Sequence, residues 1–270
     1  MFNCNGSLVS SLTEAEEGLI YSRHTSFSIH ENIRFQRDKL LFWEAHYFRI
    51  IASLRRYRFN IPMEYTMDFL QKELLKLIDA QKIVPKNIIL QFQFFKQKRE
   101  TRFIISNEEA FPLAASSTSY TVDLYKEAMI PAGNLSNLSA TNWGIRIMAK
   151  RYAEENGLDD VVLLNEQKNL VETLNGTLYL LQKNQLITPK LDAGCQDFAI
   201  RGAFNNWLKK QQTPYQLLEQ DLNPFELQKS EELMVLSLEK GIQSISNYRK
   251  TDFTQLIVQE LFQAFNDNLN

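Results

Sequence analysis

The chain has 270 residues, 44% of them hydrophobic, which is enough for one large or two modest domains with a full core. Its 30 basic and 32 acidic residues leave a net charge of −2, so nothing in the balance calls for nucleic acid or another polyanion. Two cysteines, Cys4 and Cys195, argue against a disulfide framework, and no run reaches the ~18 apolar residues of a membrane helix.

The opening MFNCNGSLVSSL lacks a basic stretch followed by an apolar core, so no signal peptide is visible and a cytoplasmic protein is expected. Residues Ile29 to Phe35 read as a strand, with a turn at Asp38. A helix is predicted from Leu41 to Arg58, with Leu41, Ala45, Phe48 and Ala52 at helical spacing. Ile61-Pro62 breaks the chain. Thr66 is placed as an N-cap, followed by Asp68 in the first turn and an apolar face of Phe69, Leu70, Leu74, Leu77 and Ile78. Strands follow at Asn87 to Phe95 and Arg102 to Ser106. The basic clusters at Arg55–Arg58 and Lys96–Arg102 read as solvated faces.

The small, polar run PLAASSTS over 112–119 reads as a linker or crossover. It divides the chain into a small N-terminal α/β domain at 1–113, a linker at 114–119 and a larger C-terminal domain at 120–270. That second part opens with a strand near Tyr120 to Tyr125. Turns fall at Asn165 to Lys168 and at Lys183-Asn184. A helix near Ala199 to Gln211 carries Phe204, Trp207 and Leu208 on one side. A tail helix from Phe253 to Phe265 shows Phe253, Ile257, Leu261 and Phe265 at i, i+4, i+8 and i+12, a packing stripe. Strands and helices are segregated, which favours an α+β class.

Five segments carry further information. Glu31-Asn32-Ile33-Arg34 is followed by KLLFWEAHYFRI (Lys39 to Ile50), with His46 and Arg49 at the spacing His-x-x-Arg. Next come NLSATNWGIRIMAKRYAEENGLDD (Asn137 to Asp160), the paired-strand region from Asp159 to Pro189, and DAGCQDFAIRGA (Asp192 to Ala203). In order and spacing these segments resemble the class IV aminotransferases. Those are fold-type IV pyridoxal-phosphate enzymes that include branched-chain and D-amino-acid aminotransferases and aminodeoxychorismate lyases. The resemblance implies a two-domain fold with the cofactor between the domains, usually in a homodimer. It implies that Arg49 contacts the cofactor phosphate and that Glu172 holds the protonated ring nitrogen. Arg201, with Ala199, Ile200 and Ser237, falls on the phosphate-cradling segments. Read locally, Glu172 is an acid ending a strand, Arg49 a helix-surface ion pair and Arg201 a structural residue.

The departures from the family pattern cluster at the chemistry. The aldimine lysine falls on Ser139, and a serine hydroxyl forms no Schiff base. A helix cap is the plain role for that serine. No lysine lies between Lys126 and Lys150. Lys150 sits about 16 Å farther along a helix at 1.5 Å per residue, too far to replace it. The turn before Glu31 reads Thr25-Ser26-Phe27-Ser28, and the serine-asparagine pair after the ring-nitrogen acid has become Gly176-Thr177. The phosphate-turn glycine is Phe198, and the second phosphate segment reads Leu236-Ser237-Leu238. The three histidines, His24, His30 and His46, show no metal spacing. Two readings stand. One is a pyridoxal-phosphate enzyme for a small amino acid or aminodeoxychorismate, with transamination impaired or lost and no covalent attachment. The other is a non-catalytic binding or regulatory protein that uses the inherited cleft for a small anionic metabolite or a protein partner.

Overall fold

The computed structural model describes residues 1–270 except 82–86, 112, 117, 134, 139–142 and 270, with backbone alone at Ser116 and Trp143. The chain divides near residue 112 into two compact units.

The N-terminal unit runs β1 (Phe2–Cys4), β2 (Ser7–Val9), α1 (Glu17–Thr25), β3 (Ser28–Gln36), β4 (Lys39–Leu40), α2 (Trp43–Arg56), α3 (Met67–Asp79), β5 (Asn87–Gln97) and β6 (Glu100–Glu109). Its strands form one antiparallel sheet in the order β2-β1-β6-β5-β3-β4. Alternate residues Ile88, Leu90, Phe92 and Phe94 of β5 join Ile29 and Ile33 of β3 in one buried cluster, as a period-two side-chain pattern requires. The β3–β4 hairpin turns on Arg37 and Asp38, both at positive φ (52° and 58°), the geometry of a tight type I′ loop. Thr66 Oγ1 accepts from Phe69 N at 3.2 Å and starts α3, whose Leu70, Leu74, Leu77 and Ile78 are buried.

Helix α2 forms where expected but turns its other face inward. Trp43, His46, Ile50, Ile51 and Leu54 are buried, whereas Ala45, Phe48 and Ala52 are exposed. Two stripes fit helical spacing here, and the one carrying tryptophan and two isoleucines removes more apolar area from water. Helix α1 has no comparable stripe and buries only Leu19, against Phe95 and Ile104.

The C-terminal unit runs β7 (Ala114–Ser116), β8 (Thr121–Leu124), α4 (Trp143–Glu155), β9 (Asp160–Leu164), β10 (Leu170–Thr173), β11 (Thr177–Gln182), β12 (Gln185–Pro189) and α5 (Ala199–Lys210). It continues through β13 (Gln216–Gln220), α6 (Phe225–Lys229), β14 (Glu232–Ser237), β15 (Gly241–Ile245), β16 (Asn247–Tyr248), β17 (Thr251–Asp252) and α7 (Leu256–Asp267). Where the sequence suggests a linker, β7 is instead a strand paired in parallel with β15. Two sheets form, in the orders β10-β9-β8-β16-β17 and β13-β12-β11-β14-β15-β7.

The core follows from strand alternation. Val162 and Leu164 of β9 meet Leu178 and Leu180 of β11 and Leu233 and Val235 of β14 between the sheets. Val161 and Leu163 face the other way, onto Ala149 and Ala153 of α4. On the far side of the second sheet, Tyr179 packs edge-on against Phe204 of α5, which packs on Phe265 of α7. Helix α7 begins three residues later than the apolar stripe suggests. Its cap is Glu232 of β14, whose carboxylate accepts from the N–H groups of Leu256, Ile257 and Val258 at 2.9–3.1 Å.

Asp160 is fully buried at the start of β9. Its Oδ1 accepts from Val161 N (2.8 Å) and Leu174 N (3.0 Å), and its Oδ2 from Tyr120 Oη (3.0 Å). Burial pushes its carboxyl above the ordinary range, against the opposing pull of these hydrogen bonds. A folded-state value above the unfolded one favours the protonated group. That contribution is therefore fully present below about pH 4 and is lost as pH rises through the folded value. Asp160→Asn keeps an acceptor toward the two N–H groups and removes the ionisation. Urea unfolding at pH 4, 5.5 and 7 should show the variant gaining on the wild type as pH rises. A stability gap that moves the other way would refute the buried-acid account.

Candidate functional site

Glu172 lies in β10, where the pairing with β9 slips by one residue between Leu170↔Leu164 and Thr173↔Val162. Such a bulge re-aims the side chains it contains. The carboxylate is wholly buried, and both oxygens are engaged. Oε1 accepts from Arg146 Nη2 in an ion pair, and Oε2 accepts from Gln196 N at 2.8 Å.

Each partner is positioned by its own element. Arg146 precedes Ala149 and Ala153 by three and seven residues on α4, so the packing of those alanines on β9 carries it to the sheet. Its side chain is only 11% exposed. Gln196 belongs to the loop before α5. Asn137 holds that loop: its Nδ2 donates to Leu191 O (2.9 Å) and Cys195 O (2.6 Å), and its O accepts from Asp197 N (3.2 Å).

Helix α5 opens at Ala199 and Ile200, both buried, with Phe198 as an N-cap that supplies no side-chain hydrogen bond. Phe198 has φ −67° and ψ 137°, so this turn needs no glycine. The first-turn N–H groups give the anion-attracting end of a twelve-residue helix.

Arg201 is buried and committed to protein. Its Nη2 donates to Pro189 O (2.7 Å) and Glu219 Oε2 (3.0 Å), and its Nη1 lies 3.5 Å from Cys195 Sγ. It thereby ties the end of β12 to β13. Burial pushes the Cys195 thiol up to about 12, so it stays protonated at neutral pH and is no nucleophile. Ser237, at the end of β14, accepts from Lys240 N at 2.9 Å. Gly176 precedes β11 and lies against the backbone of Leu236.

Arg49 belongs to the N-terminal unit. Its Nη1 donates to Glu31 Oε2, and Glu31 Oε1 lies 2.6 Å from His46 Nδ1. The acid sits on β3, so the ion pair of Arg49 runs from helix to strand and not along the helix surface. Ser139 lies outside the described residues. Arg146 was not singled out by motif, because its partner is twenty-six residues away. The one local signal was its place on the α4 face that carries Ala149 and Ala153. Among the described residues no group of three or more His, Cys, Asp or Glu side chains could hold a metal ion. Among the described residues no helix is long and apolar enough to cross a membrane.

These contacts test pyridoxal phosphate against the site. A protonated ring nitrogen needs a carboxylate whose charge is not already matched, and Glu172 is neutralised by the chain's own Arg146. The ring-nitrogen end therefore does not fit. The start of α5 does suit an anionic group.

Residues 28–248 match the family model described as amino-transferase class IV. A probable branched-chain-amino-acid aminotransferase of Rickettsia bellii is 24% identical over 196 residues, covering 70% of this chain and 67% of that protein. The branched-chain amino acid aminotransferase of Escherichia coli superposes with a TM-score of 0.85 at 16% identity, over 100% of this chain and 94% of the other. That of Thermobaculum terrenum, solved in its PLP form, gives 0.84 at 16% identity, over 99% and 93%. These solved structures share the α+β fold described above.

Proposed function

The chain belongs to the amino-transferase class IV family, and we propose that within it this protein has lost Schiff-base transamination and keeps its inherited site for a small anionic ligand. One observation carries the reading. Position 139 is serine, and none of the described lysines of the C-terminal unit is buried: the flanking Lys126 and Lys150 are both exposed. A lysine that forms an aldimine must be deprotonated at working pH, which a desolvated pocket or a neighbouring cation achieves and open solvent does not. What remains supports anion binding, because the first turn of α5 has no side-chain cap. Pyridoxal phosphate enters this reading as one such anion, held by its phosphate without covalent attachment. A small anionic metabolite is another.

The test is a titration with pyridoxal phosphate, followed by borohydride reduction, intact mass and peptide mapping. The expected result is no stoichiometric adduct at any one lysine. A band at about 400–430 nm together with an adduct at a single lysine would overturn the proposal. Ser139→Lys alone should leave transamination within about tenfold of background, because Phe198, Leu236 and the occupied Glu172 also depart from the family pattern. Robust turnover by that variant, followed as keto-acid formation, would count against the reading.

A further inference from the structure

Building on the reading above, we propose that Arg146 permanently takes the place of a cofactor's protonated ring nitrogen, so that this site reads its ligands by their anionic end alone. A wholly buried carboxylate needs a counter-charge. A site that borrows that charge from a bound cofactor leaves the acid unmatched when the cofactor departs. Here α4 supplies it from within the chain, through a guanidinium that is 11% exposed and paired to Glu172 Oε1. The second oxygen is taken by Gln196 N, in a loop fixed by Asn137. Tyr152, one turn beyond Ala149 on α4, packs edge-on against Tyr125 at 5.6 Å and further holds the helix that carries Arg146. The pair is therefore built into the fold of the unit.

The same arginine leaves the ring end of a ligand without a charged partner. Its Nε is buried with no hydrogen-bond partner among the described residues. Its charge is already matched by Glu172, so the pair offers neither a cation nor a free carboxylate to a ligand's ring. The ligand class is a small phosphate or carboxylate, recognised without regard to the charge of any ring it carries.

The experiment measures tryptophan-fluorescence quenching of the full chain by pyridoxal phosphate and by its 1-deaza analogue, in which the ring nitrogen is replaced by C–H. The wild type should bind both with equal affinity, and a wild type that binds neither measurably would overturn the proposal. Arg146→Met should bind pyridoxal phosphate at least about tenfold more tightly than the wild type does, and prefer it to the deaza analogue. Arg146→Met/Glu172→Gln should lose that gain. A wild type that prefers pyridoxal phosphate by more than about fivefold would overturn the proposal, as would a double variant that keeps the gain. If Arg146→Met does not fold, the wild-type ratio decides. A reducible lysine adduct would instead sink the loss of Schiff-base chemistry, so the two failures are distinguishable.

Discussion

Arg146→Met is expected to cost the C-terminal unit roughly 3–5 kcal/mol at neutral pH, and a further Glu172→Gln to recover most of it. The reason lies in which partner is left behind. Methionine fills most of the space of the arginine stem, so the packing loss is small. The carboxylate of Glu172 then stays wholly buried, with Gln196 N–H donating to it. Its desolvation is no longer offset by a cation. Glutamine keeps an oxygen for Gln196 N–H and carries no charge, so the double variant replaces an ion pair with two neutral groups. Urea unfolding of the wild type and both variants measures this directly. A single variant within about 1 kcal/mol of wild type would show that the pair is solvated and marginal.

The fold was readable where periodicity was unambiguous. The alternation through Ile88, Leu90, Phe92 and Phe94 and the stripe of α3 both appear as buried faces. It is less readable where two periodic stripes coexist, as in α2, where the face through Trp43, Ile50 and Leu54 is buried and Ala45, Phe48 and Ala52 are exposed. It was unreadable where an element depends on a distant partner: α7 starts where Glu232 caps it, twenty-four residues before the first capped N–H. The candidate site divides in the same way. Residue positions could be aligned along the chain, but the partners that decide what each residue does are non-local. Arg49 meets Glu31 across eighteen residues, Arg201 meets Glu219 across eighteen, and Arg146 meets Glu172 across twenty-six. Hydrophobic period reports on faces. It does not report on which buried ion meets which.

Gly176→Ser, which would restore the residue type of the family pattern, is expected to destabilise the protein by about 3 kcal/mol. A Cβ built at Gly176 falls in hard overlap with Leu236 O, 2.8 Å from Leu236 C and 3.1 Å from Ser237 Cβ. The obstacle is backbone, so no side-chain rotation relieves it. That backbone belongs to β14, whose six residues are all buried between β11 and β15. Moving it would disturb the pairing Thr177↔Leu236. Moving Gly176 instead would strain its carbonyl, which accepts from Thr173 N at 3.1 Å and from Thr173 Oγ1 at 3.3 Å. Either shift reaches β10 next to Glu172, so the variant should also alter ligand binding. Chemical denaturation of Gly176→Ser beside the wild type gives the answer. A variant of unchanged stability would mean that the close approach to Leu236 is not a feature of the folded chain. The expected loss means that the hydroxyl cannot return by one substitution, because the glycine is part of how β11 and β14 lie together. The departure at this position is thus structural as well as chemical, and the site stands several coupled changes away from the family pattern.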